Sequence, residues 1–223
     1  MRRISRIMPA ILPATGALVI AFAAFPARAS SVLIESWENT LDGWQAPSPD
    51  GSNSSYTPSF STTTGVTNGN YSLAMTGTAA PSYSIMLNSP YSMTLTNSLA
   101  DATSVSLDVF APTGSFGGAL GIDMDIGNNA IGFLSLDGYS YQSPTIGTES
   151  TITVPISSSL ASELATSGDP TQFYIQVGGG YTPGNETIYF DNLRASVVPE
   201  PASASVIGLA ALGLLRRRRR THH

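Results

Sequence analysis

The sequence predicts an all-β protein: a two-sheet antiparallel β-sandwich that carries one short helix. Three observations predict this fold. Apolar and polar residues alternate over several short segments, turn-forming residues such as Asn and Gly separate those segments, and only one stretch has the spacing of a helix. Alternation with a period of two is typical of a strand with one face in a core and the other in water. Strands of this kind at regular spacing suit two sheets packed face to face.

The predicted strands follow one another from residue 31 to residue 197. Alternation is clearest in residues 104–110, 120–126 and 173–177. Further strands are predicted near residues 31–37, 56–60, 71–77, 82–88, 131–137, 151–155 and 187–197. The helix is predicted at residues 159–166, because a run of Ser offers an N-cap, Leu160 and Leu164 share one face, and Gly168 can end it.

The first 29 residues have the order of a secretory signal peptide. Three arginines stand near the start, residues 7–25 are mostly apolar, and Ala27 and Ala29 form a small-x-small cleavage pattern. We therefore assign residues 1–29 to a signal peptide that signal peptidase removes after Ala29. The alternative is an N-terminal membrane anchor that is not cut.

Residues 30–198 form the predicted sandwich domain, and their charge is strongly negative. They contain one basic residue, Arg194, and fourteen of the fifteen acidic residues, so one minus fourteen gives a net charge of −13. A domain with this charge cannot hold a phosphate backbone, which excludes nucleic acid as a partner. The surplus of carboxylates leaves room for a hard cation such as calcium, although acidity also serves solubility alone.

The C-terminal 25 residues combine three features in a fixed order. Pro199, Glu200 and Pro201 end the last predicted strand, an uncharged apolar segment covers residues 202–215, and five arginines follow: Arg216, Arg217, Arg218, Arg219 and Arg220. Fourteen residues of helix span roughly 21 Å, which makes a short transmembrane helix. The arginines act as a stop-transfer signal and stay on the cytoplasmic side.

This order of tripeptide, apolar helix and Arg cluster resembles the PEP-CTERM sorting signal of Gram-negative bacteria. The resemblance implies that an exosortase-like membrane protease recognises residues 199–201 and cuts nearby. It further implies a transient membrane anchor at residues 199–223, followed by release or transfer of the domain to the cell surface or the extracellular space.

The two ends of the domain carry distinctive motifs. Residues 34–44 contain an aromatic-Glu pair followed by Gly-Trp, and residues 188–194 contain an aromatic-aromatic-Asp-Asn run. These motifs resemble the two ends of carbohydrate-binding-module-like jelly rolls. The resemblance implies that the first and last strands lie close together, so that Glu38 and Asp191 meet and share a structural calcium ion. Alternatively, Asp191 bonds local backbone amides.

Aromatic residues and paired carboxylates are the remaining candidates for function. We interpret Trp37 and Trp44 as core or edge packing, with a sugar-stacking platform as the alternative. Tyrosines in or near predicted loops are available for sugar stacking, and no sequence rule places them together: Tyr83, Tyr91, Tyr139, Tyr141 and Tyr181. Asp123 and Asp125 alternate on one strand, and we interpret them as a solvated strand face or a weak cation site.

The residue types present in residues 30–198 limit catalysis. This span has no His, Cys or Lys, which excludes Ser-His-Asp and Cys-His triads, Schiff-base chemistry and disulfides. We therefore expect a non-enzymatic, exported surface or matrix protein that interacts with extracellular polysaccharide, without a certain cofactor. The alternatives are a structural or adhesive envelope protein without a sugar site, and a carboxylate-dependent glycosidase or lyase.

Overall fold

The computed structural model describes residues 30–45, 56–78, 84–180 and 185–197. These residues belong to one compact unit, residues 27–200. The proposed signal peptide, the Pro-Glu-Pro motif, the apolar segment, the Arg cluster, Tyr83 and Tyr181 lie outside the described residues. Within the part that is described, no helix is long and apolar enough to cross a membrane.

Ten strands and two α-helices make up the described chain. The strands are β1 (Ser30–Glu35), β2 (Tyr56–Ser61), β3 (Ser72–Thr78), β4 (Ser84–Asn88), β5 (Ala102–Phe110), β6 (Leu120–Asn128), β7 (Gly132–Ser135), β8 (Ser150–Pro155), β9 (Thr171–Gly179) and β10 (Asn185–Val197). The helices are α1 (Met93–Ala100) and α2 (Ser158–Ser167). Every strand pair is antiparallel, which confirms the predicted two-sheet antiparallel architecture.

Sheet A is built around the last strand of the domain. Its strand order is β2-β3-β10-β5-β8, and β1 pairs with the second half of β10. On one side β10 pairs first with β3 and then with β1, and on its other side it pairs with β5. The first and last strands therefore lie side by side, as the resemblance at the two ends implied.

A β-bulge divides β10 into two halves. The pairing with β5 skips from Asp191 to Arg194, and Asn192 adopts a left-handed backbone conformation with φ of 56°. An extra residue in one strand changes which side chains face the core. Ile188 and Phe190 face the core before the bulge, and Leu193 and Ala195 face it afterwards.

Sheet B has the strand order β4-β9-β6-β7. The apolar side chains of β6 and β9 alternate toward the core, with Ile122, Met124 and Ile126 on β6 and Phe173, Ile175 and Val177 on β9. The residues between them point to the opposite face of the sheet, because successive side chains of a strand alternate.

Trp37 and Trp44 belong to the core. Their rings contact each other edge to face at 5.3 Å between centroids, and Trp44 also lies 6.3 Å from Phe173. Trp37 is fully buried and Trp44 is 5% exposed. The prediction of core packing is therefore confirmed, and a sugar-stacking role for these two residues is wrong.

The sequence predicted one helix, and the described chain has two. Helix α2 agrees with the prediction: Ser157 accepts a hydrogen bond from the Leu160 amide at its start, and Gly168 ends it with φ of 68°. Helix α1 was missed because its sequence is rich in Thr, Asn and Ser, which have weak helix propensity. It is nevertheless capped by Ser92 and buries Leu95 and Leu99.

Candidate functional site

The candidate site is the face of sheet B that points away from the core, which we call the sheet B outer face. Its side chains come from three adjacent strands: Asp123 and Asp125 on β6, Phe133 and Ser135 on β7, and Gln172, Tyr174 and Gln176 on β9. The pairing places Gln176 opposite Asp123, and Tyr174 opposite Asp125. On the other side, Ser135 lies opposite Asp125.

An aromatic pair spans the three strands. Phe133 and Tyr174 lie on either side of Gly127, and their ring centroids are 5.1 Å apart in an edge-to-face arrangement. Gly127 permits this contact, because a Cβ atom there would lie 3.0 Å from the Tyr174 ring. Phe133 is 48% exposed, so this pair presents an aromatic surface to solvent.

Hydrogen bonds hold the Tyr174 ring in place. Its hydroxyl donates to Gln172 Oε1 at 2.5 Å. Burial, followed by the nearby hydroxyl of Tyr91, raises the pKa of Tyr174 to about 12. Tyr91 is itself exposed. The sheet B outer face thus has a fixed phenol next to two exposed aromatic rings.

Asp123 and Asp125 lie beside this aromatic pair, and both are 0% exposed. The prediction that they form a solvated strand face is wrong. They do point away from the core, as alternation predicted. However, the segment from Leu136 to Gln142 follows the adjacent edge, with Leu136 bonded to the Met124 carbonyl and Gln142 paired with Ile122.

Ser135 lies between the carboxyl groups of Asp123 and Asp137. Its hydroxyl lies 2.9 Å from Asp123 Oδ1 and 2.8 Å from Asp137 Oδ1, and it accepts a hydrogen bond from the Tyr139 amide at 2.9 Å. A hydroxyl donates one proton only. It can therefore donate to only one of the two carboxyl groups at a time.

The pKa values identify Asp123 as the protonated partner. Burial, and next the charge of Asp125, raise the pKa of Asp123 to about 7. Burial also acts on Asp137, but hydrogen bonds from Ser135 and its other neighbours outweigh it and lower the pKa of that group. Asp123 is thus the group that holds a proton, and hydrogen bonds link it to Ser135 and to Asp137.

Asp125 completes what we call the carboxylate cluster, which consists of Asp123, Asp125 and Asp137. Gln176 donates its amide to Asp125 Oδ2 at 2.5 Å. Burial nevertheless raises the pKa of Asp125 to about 6. No backbone amide or neutral side chain donates to Asp123 Oδ2 or Asp125 Oδ1. A hydrogen bond from Asp123 instead acts to lower the pKa of Asp125.

Glu38 and Asp191, the predicted calcium pair, both contact the loop at residues 67–70. Asp191 Oδ2 accepts from the Thr67 amide at 2.6 Å and from the Asn68 amide at 2.7 Å. Both oxygens of Glu38 accept from the Asn70 amide, at 3.2 and 3.0 Å. We call this arrangement the sheet A clasp, because it ties the loop to the last strand and to the segment that follows β1.

The donors of the sheet A clasp bear on the calcium prediction. Asp191 Oδ1 also accepts from the Asn192 amide at 2.6 Å, so hydrogen-bond donors approach both of its oxygens. Calcium requires oxygen atoms that are free to coordinate it. Among the described residues, no group of three or more Asp, Glu, His or Cys side chains could hold a metal ion. Calcium would therefore have to replace some of these hydrogen bonds, and the Glu38–Asp191 site stays a prediction.

Sequence reasoning missed most of the sheet B outer face. Among the tyrosines that the sequence analysis named, Tyr91 lies near Tyr174 and Tyr139 is exposed. Tyr141 lies near the carboxylate cluster, and burial followed by the charges of Asp123 and Asp125 raises its pKa. Phe133 and Tyr174 were not named. A signal for Tyr174 was present, because Tyr174 and Gln176 alternate with three apolar residues on one strand.

The geometry defines a class of fold, an antiparallel two-sheet β-sandwich with an aromatic and acidic outer face. No protein-family model matches the chain, and no curated protein matches it. The structure neighbours are carbohydrate-binding modules with a β-sandwich fold.

Two solved structures illustrate the likeness. One is a structure of carbohydrate-binding modules from the beta-sandwich super family, with a TM-score of 0.53 and 17% identity. The match covers 72% of this chain and 60% of the chain in that structure. The other is the CBM27-1 module of Caldicellulosiruptor saccharolyticus in complex with mannohexaose, with a TM-score of 0.51 and 17% identity, covering 78% of this chain and 99% of the module. At these identities the likeness is one of fold.

Proposed function

We propose that the protein is an exported, non-catalytic surface or matrix protein that binds extracellular polysaccharide through the sheet B outer face. The observation that carries this proposal is the Phe133–Tyr174 pair beside buried polar side chains on one face. A sugar ring has an apolar face that stacks on aromatic rings and hydroxyls that need hydrogen-bond partners. The fold shared with carbohydrate-binding modules supports the proposal.

Each part of the face has a distinct role in this proposal. Phe133 and Tyr174 supply the apolar surface for stacking, and burying such rings is a main source of binding free energy. Gln176 and the carboxylates of the cluster accept or donate hydrogen bonds at the sugar hydroxyls. The fixed position of Tyr174 over Gly127 means that little side-chain freedom is lost on binding.

The test is retention of the purified protein by a panel of immobilised polysaccharides, with Phe133→Ala and Tyr174→Ala as variants. We expect either variant to weaken binding by roughly tenfold, because stacking surface is lost. Phe110→Ala is the matched control, since Phe110 forms a comparable pair with Tyr189 on sheet A, at 5.9 Å. Retention that is absent for the unaltered protein, or lowered equally by all three variants, would contradict the proposal.

Delivery to the surface forms the second part of the proposal. The signal peptide at residues 1–29 and the PEP-CTERM-like segment at residues 199–223 support export and exosortase-dependent sorting. Replacement of Pro199, Glu200 and Pro201 by alanines should leave the protein attached to the membrane fraction. Normal release of that variant would show that residues 199–201 are not required for sorting.

The alternative of a carboxylate-dependent glycosidase has less support. Glycosidases place two carboxyl groups on either side of the scissile bond. Asp123 and Asp125 occupy alternate positions of one strand and lie on the same side of any glycan bound to the face. Incubation with the retained polysaccharide should release no reducing ends. A structural or adhesive protein without a sugar site remains the alternative if no polysaccharide is retained.

A further inference from the structure

The sheet B outer face continues beyond β9 to the edge strand β4, where one side chain is left without a hydrogen-bond partner. Asn88 pairs with Tyr174 across the two strands, so both side chains point to the same outer side. Asn88 is only 8% exposed, and no group in the described part of the chain donates to its Oδ1 atom. A buried acceptor without a partner is unfavourable, and few remain in folded proteins. This atom therefore favours a ligand that supplies a hydrogen-bond donor.

The main chain, and not the side chain of Asn88, holds this edge of the sheet together. The Gln45 amide donates to the Asn88 carbonyl at 2.8 Å, and the Asn88 amide donates to the Gln45 carbonyl at 3.1 Å. The adjacent Ser89 amide donates to the Phe173 carbonyl at 2.9 Å. The Trp37 indole N–H, which also lacks a partner among the described residues, belongs to the core on the other side of sheet B. The Asn88 side chain is therefore available to a ligand.

Tyr91 adds an aromatic surface to this part of the face. Ser92 pairs with Thr171, which is buried and alternates with the core residues of β9, so the preceding residue Tyr91 points to the outer side. Tyr91 is 53% exposed, and its hydroxyl approaches that of Tyr174. The β4 edge therefore combines an exposed aromatic ring with an unpartnered amide oxygen, and a sugar ring needs both kinds of contact.

We propose, on the basis of the polysaccharide-binding function above, that the ligand is a neutral glycan laid across the strands from Phe133 to Asn88, and that the Asn88 amide binds a hydroxyl of one of its sugars. A hydroxyl both donates and accepts, so it complements the oxygen and the nitrogen of an amide, whereas an ammonium only donates and a carboxylate only accepts. A polyuronate would also bring negative charge to a domain with a net charge of −13. Oδ1 becomes accessible through a rotamer change, which is common at binding surfaces.

The distance between Phe133 and Asn88 requires a glycan chain. Phe133 lies on β7 and Asn88 on β4, at opposite edges of sheet B. Three strand spacings separate these edges, which amounts to roughly 14 Å. One sugar ring is too small to contact both residues, so different sugars of one chain contact them. The two contacts should then contribute independently to the binding free energy.

The test is calorimetry on the purified protein with three β-1,4-linked hexasaccharides, of glucose, of mannose and of mannuronate. The mannose and mannuronate hexamers have the same backbone, and a carboxylate replaces the C6 hydroxymethyl group in the second. We expect at least one neutral hexamer to bind. The mannuronate hexamer should bind at least about tenfold more weakly than the tighter neutral hexamer, because it adds negative charge to an acidic face.

Substitution of Asn88 by a residue of similar size separates binding from stability. Asn88→Leu should weaken the tighter neutral hexamer by about tenfold, because its hydroxyl loses a partner. The melting temperature should stay unchanged or rise, because the folded state loses an unpartnered acceptor. Asn97→Leu makes the same change at an exposed position of α1 and should leave the affinity unchanged. In the double variant with Phe133→Ala the two losses should multiply to roughly a hundredfold.

The outcomes distinguish this inference from the proposed function. Weaker binding by Asn88→Leu without a lower melting temperature supports both. Unchanged affinity, a lower melting temperature, or a double variant no weaker than Phe133→Ala overturns the inference and leaves polysaccharide binding in place. Mannuronate binding as tight as that of the neutral hexamers also overturns it. If a polysaccharide is retained but neither neutral hexamer binds, this inference alone is wrong, and if nothing binds, both proposals are wrong.

Discussion

The outer faces of both sheets carry buried aspartates, but the hydrogen-bond partners of these aspartates differ between the two faces. On sheet A, Asp191 accepts hydrogen bonds at both oxygens, from the Thr67, Asn68 and Asn192 amides. Its neighbour Asp108 accepts from side chains of Thr67, Asn192 and Thr151. On sheet B, no backbone amide donates to Asp123 Oδ2 or Asp125 Oδ1, and the two carboxyl groups hydrogen-bond to each other instead.

This difference separates a structural site from a candidate binding site. Carboxylates that the protein satisfies fully hold its own loops and strands together. On sheet B, burial raises the pKa values of Asp123 and Asp125, so bound protons rather than backbone amides compensate part of their charge. We therefore expect an Asp→Asn substitution to change the free energy of unfolding differently on the two faces.

The largest expected effect is a loss of stability in Asp191→Asn. Asn has one acceptor oxygen, and its amide group would face a backbone N–H that the carboxylate now accepts. We expect the free energy of unfolding to fall by about 3 kcal/mol and the melting temperature by roughly 6–12 °C. The matched control is Asp123→Asn, which we expect to cause no loss at about pH 6, because Asp123, whose pKa is raised to about 7, is mostly protonated there. Equal losses in the two variants would contradict the distinction between the faces.

The next largest expected effect is a pH dependence of the free energy of unfolding, which the carboxylate cluster causes. The pKa of Asp123 is raised to about 7 and that of Asp125 to about 6, so the folded state holds protons that the unfolded state has released. Stability from these groups therefore falls as the pH rises from about 4 to about 7. Partial screening by nearby water leaves an expected loss of about 2 kcal/mol.

Urea titrations across this pH range measure the effect. The double variant Asp123→Asn, Asp125→Asn should gain stability relative to the unaltered protein at about pH 7, and the gain should vanish toward about pH 4. A difference that is constant over this range would show that the pKa of neither group is raised.

The smallest effect concerns calcium at the sheet A clasp. If the ion binds Glu38 and Asp191, a several-fold excess over its dissociation constant should stabilise the fold by about 1 kcal/mol, and chelator should reverse this. Glu38→Gln should abolish the response. Melting curves that coincide in calcium and in chelator would contradict the calcium prediction. The sheet A clasp would then consist of hydrogen bonds alone.

The sequence predicted the fold more completely than the site. Alternation located the strands, since the burial of every second residue in β6 and β9 is a local property of the chain. Helix α1 was missed because its Thr, Asn and Ser residues favour other conformations, and its two buried leucines alone are a weak signal.

The site could not be predicted because it depends on pairing between distant segments. Phe133 and Tyr174 meet only because β6, with Gly127, separates β7 from β9. The direction of Asp123 and Asp125 was predictable from alternation. Their burial was not, because it comes from neighbours on β9 and from the segment after β7. Similarly, the resemblance at the two ends of the domain implied that Glu38 and Asp191 meet, but it gave no indication of the loop at residues 67–70 that both contact.

The position of β10 in sheet A has a consequence for how the chain folds during synthesis. This strand holds β1, β3 and β5, and Ser30 pairs with Val197 across the whole length of the domain. Without residues 185–197, sheet A would be reduced to the separate pairs β2–β3 and β5–β8, with β1 alone. The nascent chain therefore stays without its native sheet A until its last strand has been made. If the proposed signal peptide directs the chain to a translocation channel, this strand order delays the formation of sheet A until residues 185–197 have been made.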